Sequence, residues 1–210
     1  MIGMQNLALF TEGTFGTAVA GRLAATVSGV QVLPLVARGE SFQACISGAS
    51  FVGVALWRQY ADEIDRLDEA CAREGISWSG VVLEGTKLRC GPIVKPGHGP
   101  CYACYRKRWL THAAFPDREQ ALDAAYATNP ALGIRGYTPS SVRIAAAALL
   151  LDWEQFDQAP GRVRWIDLLQ CTVEESRVIR VHGCPRCSPQ NAPGERYVRE
   201  LIDVFGGGQW

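Results

Sequence analysis

Two pairs of cysteines at metal-ligand spacing are the residues of this sequence best suited to chemistry. They are Cys101-Tyr-Ala-Cys104 and Cys184-Pro-Arg-Cys187, and glycine-containing turns precede both. Four thiolates form the closed tetrahedral shell of a structural zinc ion. The 79 residues 105–183 separate the pairs, so the ion would tether the end of the chain to its middle. Two disulfides and chance spacing are the alternatives.

The other candidate ligands and nucleophiles are few. His98 and His182 precede the two cysteine pairs, and either could replace a cysteine as a ligand. Because four thiolates already saturate zinc, supporting roles are favoured for both imidazoles. With three histidines and no Ser-His-Asp spacing, we predict no catalytic residue. The remaining cysteines are interpreted as small buried hydrophobes: Cys45, Cys71, Cys90 and Cys171.

Composition excludes several classes of protein. The 210 residues are 48% hydrophobic and 20% charged, as in one ordinary globular domain. Equal numbers of basic and acidic residues, 21 each, argue against nucleic-acid or membrane partners. No signal peptide is evident, and the longest apolar stretch, 144–151, is too short to cross a bilayer. These features predict a cytoplasmic protein, where reduced thiols favour metal over disulfides.

The first half of the chain alternates strand-like and helix-like segments. We predict strands over 6–11, 30–36, 50–56 and 76–83. Pro34 either argues against the second strand or places it at an edge of the sheet. A glycine turn and a helix follow the first strand, and apolar residues over 60–71 recur at helical spacing. This alternation predicts an α/β fold with a Rossmann-like, mostly parallel sheet flanked by helices.

The second half must deliver the second cysteine pair to the first. We predict a helix over 102–112, a polar and partly helical segment over 116–136, and a buried helix over 142–156. Thr138 and Pro139 mark the start of that helix. Strands over 162–169 and 176–181 are expected to form an antiparallel pair leading to Cys184. The domain is expected to cover residues 1–190, with 191–210 as a C-terminal tail.

The glycine turn after the first strand departs from a nucleotide-binding motif. A working turn has the pattern G-x-G-x-x-G, but here it is Thr11-Glu-Gly13-Thr-Phe-Gly16. Glu12 places a carboxylate where phosphate charge would lie, and no acidic residue follows the second strand to hold a ribose. The turn is therefore better explained by tight packing of helix on strand than by a nucleotide site.

One short basic run could contact a partner. Arg106, Lys107 and Arg108 lie among Tyr102, Tyr105 and Trp109. A solvated helix face is one interpretation of this run, and a patch that receives an acidic peptide or protein surface is the other.

Two segments resemble the ThiF-like family, the relatives of ubiquitin-activating enzymes. They are Phe51-Val-Gly-Val-Ala-Leu-Trp57 with the helix at Leu67-Asp-Glu-Ala-Cys71, and Gly91-Pro-Ile-Val-Lys-Pro-Gly-His-Gly-Pro-Cys101-Tyr-Ala-Cys104. The second is most similar to the branch that works beside YcaO-type cyclodehydratases. Those systems make azoline rings in ribosomally synthesised peptides.

The resemblance implies a ThiF-like domain, a structural zinc ion and a homodimer. It implies a non-catalytic partner that binds a YcaO-type enzyme, a precursor peptide, or both, while the YcaO-type enzyme uses ATP. The extra N-terminal winged-helix module of such partners is not expected, since the first strand begins almost at Met1.

Two other functions remain open. An active adenylating enzyme would place Thr11, Gly13, Gly16 and Arg38 around ATP. Against it, the segment Trp57-Arg58-Gln59 has no aspartate at the end of the third strand. A zinc-dependent regulator or nucleic-acid binder is disfavoured by the neutral charge.

Overall fold

The computed structural model describes residues 6–35 and 41–188. Arg38 and the predicted tail, 191–210, lie outside the described residues. The described strands are β1 Leu7–Glu12, β2 Val30–Pro34, β3 Phe51–Leu56, β4 Trp78–Glu84, β5 Lys87–Cys90, β6 Arg162–Asp167 and β7 Thr172–Arg177. The described helices are α1 Gly13–Ala24, α2 Phe42–Ile46, α3 Ala61–Glu74, α4 Tyr102–His112, α5 Pro116–Thr128 and α6 Pro139–Gln155.

One sheet of seven strands organises the domain, in the order β2-β1-β3-β4-β5-β6-β7. Strands β1 to β4 are parallel, and each pair from β4 to β7 is antiparallel. Strand β6 consequently runs with β1 to β4, so five strands share one direction. This confirms the predicted mostly parallel α/β sheet.

The centre of the sheet is buried on both faces. Every residue of β3 is buried, as expected for a parallel strand covered by helices on either side. Strand β2 lies at one edge, where the missing N–H of Pro34 leaves no ladder bond unmade. The edge position predicted from Pro34 is confirmed.

Helix α6 packs its apolar face against α1 and the sheet. Thr138 caps it, and Ser141 completes a reciprocal capping box, which confirms the predicted start. Buried Asp152 joins the helix to two strands: it accepts hydrogen bonds from Ser79 Oγ at 2.7 Å and from the Arg162 guanidinium at 3.1 Å. The apolar residues of this helix therefore belong to the core.

The last predicted strand was placed wrongly. We expected it over 176–181, but β7 spans Thr172–Arg177 and all six of its residues are exposed. The apolar residues that suggested a strand, Val178 and Val181, follow β7 in irregular backbone and pack against the core and the cysteine cluster. An exposed edge strand of mostly polar residues carries no apolar alternation, so its position is not visible in the sequence.

In the described part of the chain, 6–35 and 41–188, no helix has the length and apolar character needed to traverse a bilayer.

Candidate functional site

The four predicted metal ligands lie together. The sulfurs of Cys101, Cys104, Cys184 and Cys187 all lie within 4.8 Å of one another. Cys101 Sγ is 3.8 Å from Cys104 Sγ and 3.6 Å from Cys184 Sγ, and Cys104 Sγ is 3.4 Å from Cys187 Sγ. Sulfurs bound tetrahedrally at about 2.3 Å from zinc would be about 3.8 Å apart. The cluster therefore fits a metal ion of this size and preference.

Each pair is held by a different kind of backbone. Cys101 is the N-cap of α4, so both cysteines of the first pair project from the first turn of a helix. The second pair lies in irregular backbone after β7. His98 and His182 are both exposed, and the cluster in the described residues comprises cysteines alone.

The cluster favours a thiolate at Cys104. Hydrogen bonds from the Cys101 thiol and then the Cys187 thiol lower the pKa of Cys104, and the backbone N–H of Val181 also donates to Cys104 Sγ at 3.3 Å. The shared proton raises the pKa of Cys101. Thiolate is the form of cysteine that binds metal, so the polar surroundings prepare this sulfur for coordination.

Arginines hold residues 178–188, the C-terminal segment, against the rest of the domain. Arg180 donates to the carbonyls of Gly97 and Gly99 at 2.9 and 2.7 Å. Arg108, on α4, donates to the carbonyl of Ile179 at 2.7 Å and to that of Arg180 at 3.0 Å. These bonds align the turn before the first cysteine pair with the irregular backbone that precedes the second.

Arg186 connects the second pair to α3. It lies between Cys184 and Cys187, and its guanidinium contacts Asp65 at 2.7 Å and Asp68 at 2.8 Å. Asp68 is buried and also accepts from Trp78 Nε1 at 2.9 Å and from the backbone N–H of Tyr102 at 3.2 Å. Burial raises the pKa of Asp68. The hydrogen bonds from these donors oppose that effect, because they favour the ionised carboxylate. The carboxylate thus joins both cysteine turns to one helix.

We expect Arg186→Met to weaken metal retention about tenfold or more, the usual effect of losing a group that orients a ligand turn. Zinc release to a colorimetric chelator measures it. Arg66→Met is the matched control, because Arg66 makes an exposed ion pair with Glu63 on the same helix. Equal zinc release from the two variants would contradict a supporting role for Arg186.

The predicted basic run is not an open patch. Arg106 pairs with Asp123 of α5, and Arg108 is bonded to the C-terminal segment, which leaves Lys107 exposed. Two of the three cations therefore hold the fold together. The interpretation of the run as a patch for an acidic partner loses its support.

The carboxyl ends of β1 and β3 form the crevice where open α/β sheets of this strand order bind ligands. Gly13 begins α1 there with φ +72°, and the indole of Trp57 packs directly on it: a Cβ at Gly13 would lie 2.3 Å from Trp57 Cδ1. Trp57 Nε1 donates to the Tyr60 hydroxyl at 3.0 Å. Gly16 faces the strand, where a Cβ would lie 2.4 Å from the Ala55 carbonyl oxygen.

The glycine turn thus serves packing at both positions described. Gly16 allows helix α1 to approach β3 closely, and Gly13 accommodates a large ring. Thr11 is nearly buried, with its hydroxyl 3.5 Å from the Leu33 carbonyl. Trp57 belongs to the buried core and its indole lies over the turn.

The fold is also found in solved structures of heterocyclases and of a microcin synthetase. The heterocyclase TruD matches with a TM-score of 0.63 and 15% identity, over 96% of this chain and 32% of that one. The chain shares its fold with heterocyclases. The Escherichia coli microcin synthetase McbBCD complex matches with a TM-score of 0.61 and 13% identity, over 85% of this chain and 67% of that one. E. coli MccB with ATP also matches with a TM-score of 0.61, at 13% identity, over 87% of this chain and 67% of that one.

These likenesses confirm the expected fold. The chain spans about a quarter to a third of the heterocyclase chains that it matches. No protein-family model matches the sequence, and a search of curated proteins found no significant match.

Proposed function

We propose that this chain is a non-catalytic partner in the biosynthesis of a ribosomal peptide carrying thiazole- or oxazole-type rings. It would hold a YcaO-type cyclodehydratase, the precursor peptide, or both, and it would do so as a cytoplasmic, zinc-containing homodimer. The observation that carries the proposal is the Trp57 indole packed on Gly13, in a fold shared with heterocyclases. A ring at that position takes the space that a phosphate needs to approach the glycine backbone.

The zinc ion would be structural. Four thiolates leave no open coordination position for water or substrate, so the ion would supply stability and no Lewis-acid chemistry. The residues that would hold it are Cys101, Cys104, Cys184 and Cys187. Their role is to fix the C-terminal segment beside α3 and α4, where Arg186 and Arg108 already bind it.

The proposal is tested by reconstitution. A YcaO-type enzyme and a Cys-, Ser- and Thr-rich precursor, taken from a genome where their genes neighbour the gene of this chain, are mixed with and without it. Mass spectrometry then counts the waters lost as rings form. We expect omission of the chain to slow ring formation by at least about tenfold. A factor of this size corresponds to a free energy within the usual range for coupling between two binding sites. Equal rates with and without the chain would contradict a partner role.

An ATP-dependent adenylating enzyme is the second candidate. It is favoured by the retained glycines at 13 and 16 and by the likeness to MccB with ATP. Thr11, Gly13 and Gly16 would then form the nucleotide site together with Arg38, which is outside the described residues. Calorimetry with magnesium ATP and an assay of pyrophosphate exchange separate the two candidates. Micromolar affinity together with exchange would support the enzyme and exclude the non-catalytic partner.

A further inference from the structure

A buried arginine at the carboxyl edge of the sheet has no carboxylate partner among the described residues. Arg58 follows β3, and only 4% of its surface is exposed. Its two terminal nitrogens donate to the carbonyls of Gln59 and Tyr126, both at 3.3 Å. Its Nε has no hydrogen-bond partner in residues 6–35 and 41–188. Within the part of the chain that the structure describes, no acidic side chain forms an ion pair with it.

Aromatic rings enclose this cation. The central carbon of the guanidinium lies 4.1 Å from the ring centre of Tyr60, 4.5 Å from that of Tyr126 and 5.3 Å from that of Trp57. Such rings compensate part of the charge and restrict how the guanidinium can turn. A buried charge with no opposite charge is costly, so this arrangement prepares a site for an anion.

Two cavities meet at Arg58. The first has a volume of about 230 Å³ and lies between the ends of β3 and β4 and helix α5. The second has a volume of about 410 Å³ and lies between the start of α3 and the other side of α5. Arg58 and Tyr126 line both, so Arg58 lies in the wall that the two cavities share.

The surrounding charges define the anion. The acids that line the first cavity have arginines of their own: Glu84 pairs with Arg89, Asp123 with Arg106 and Glu119 with Arg118. They do not neutralise Arg58, but they would repel a polyphosphate, whose several charges need several cations. A single carboxylate carries one charge, so it is repelled less than a polyphosphate and can still pair with the Arg58 guanidinium.

Apolar surface lies beside the charge. Leu83, Trp109, Leu122 and Ile134 line the first cavity, and Leu122 and Ile134 are 40% and 68% exposed. A ligand that brings a carboxylate to Arg58 therefore gains if its neighbouring groups are hydrophobic. Helix α5, which covers the site, has no buried residue of its own.

We propose that Arg58 binds the side-chain carboxylate of a peptide segment whose adjacent hydrophobic residues occupy the cavity beneath α5. This deepens the proposed function, on which it rests, by assigning the peptide a site on this chain. The site is separate from the cysteine cluster. It consists of Arg58 and the rings of Trp57, Tyr60 and Tyr126, none of which belongs to the glycine turn.

The test uses two short peptides and the zinc-loaded chain. N-acetyl-Leu-Asp-Leu-Leu-amide, its Asn-for-Asp analogue and inorganic phosphate are each titrated into ¹⁵N-labelled protein. The indole N–H signals of Trp57 and Trp109 report on the site, and that of Trp153 on α6 is the remote reference. We expect the Asp peptide to shift the first two signals saturably, with a Kd at least about tenfold below that of the Asn peptide.

Variants assign the effect to Arg58. Arg58→Met is expected to lose at least about tenfold in affinity for the Asp peptide. Arg58→Lys is expected to keep the fold but to lose the bidentate contact with the carboxylate. Arg22→Met, at an exposed arginine in the last turn of α1, should bind as the unaltered chain does. If Arg58→Met does not fold, Arg58→Lys and the comparison of the two peptides still decide the question.

Three results would overturn the proposal. They are equal affinity for both peptides, shifts that persist in both Arg58 variants, and tighter, Arg58-dependent binding of phosphate than of the Asp peptide. Reconstitution distinguishes this failure from failure of the proposed function. A chain that accelerates ring formation but ignores the Asp peptide loses only the Arg58 site, and a chain that binds the peptide without accelerating ring formation loses only the partner role.

Discussion

Cys184→Ser is expected to remove the bound metal and to lower the melting temperature by about 8–16 °C. A metal ion whose Kd is about a thousandfold below its free concentration stabilises the native chain by about 4 kcal/mol. In a protein of this size each kcal/mol corresponds to about 2–4 °C. Elemental analysis of the purified protein should find about one zinc per unaltered chain, the number that one tetrahedral thiolate site holds, and almost none in the variant.

The matched control for this variant is Cys171→Ser. Cys171 is exposed, lies in the turn between β6 and β7 and is outside the cluster, so its replacement should change neither zinc content nor melting. Chelation of the unaltered chain should reproduce the loss seen in Cys184→Ser. Purified protein without a bound transition metal, or melting unaffected by the chelator, would contradict the metal site.

The second large effect is expected at Gly16. Alanine there would place a Cβ 2.4 Å from the Ala55 carbonyl oxygen, a backbone atom of the fully buried β3 that cannot move aside cheaply. Overpacking of this kind costs about 2–3 kcal/mol, which corresponds to about 4–12 °C of melting temperature. Thermal unfolding followed by circular dichroism measures it.

Gly21→Ala is the control, in the same helix α1. A Cβ at Gly21 would meet nothing within 4 Å, so alanine should raise stability by up to about 1 kcal/mol through helix propensity alone. Opposite signs for the two substitutions would show that Gly16 is required for helix–strand contact. Destabilisation of similar size at both positions would instead indicate that the helix as a whole does not tolerate the change.

Local pattern in the sequence was enough to predict the cysteine cluster and most of the sheet. The spacing within each cysteine pair is recognisable whatever the fold, for Cys101 and Cys104 as for Cys184 and Cys187. The buried strands are recognisable because they are continuous apolar runs. The start of α6 was predicted correctly because Thr138 and Pro139 act within one turn. Each of these signals depends on neighbours in the chain.

The features that could not be predicted depend on distant residues. Arg58 is a charged residue beside a tryptophan, which ordinarily indicates exposure, and it is buried because Tyr126 on α5 packs over it from 68 residues away. Asp68 lies on a helix rich in charge, yet Arg186, at a separation of 118 residues, and Trp78 bind it in the interior. The position of β7 was predicted wrongly for a related reason, because its polar residues form a strand only through pairing with β6.

The separation of the two cysteine pairs along the chain also sets an order of events during synthesis. At about 5–20 residues per second, the 79 residues between the pairs take the ribosome about 4–16 s to add. Throughout that interval the nascent protein carries Cys101 and Cys104 as an incomplete half-site with two sulfurs. Capture of the proposed metal ion would therefore be the closing step of maturation, and oxidants or competing thiophilic ions would have their best opportunity before translation reaches Cys187.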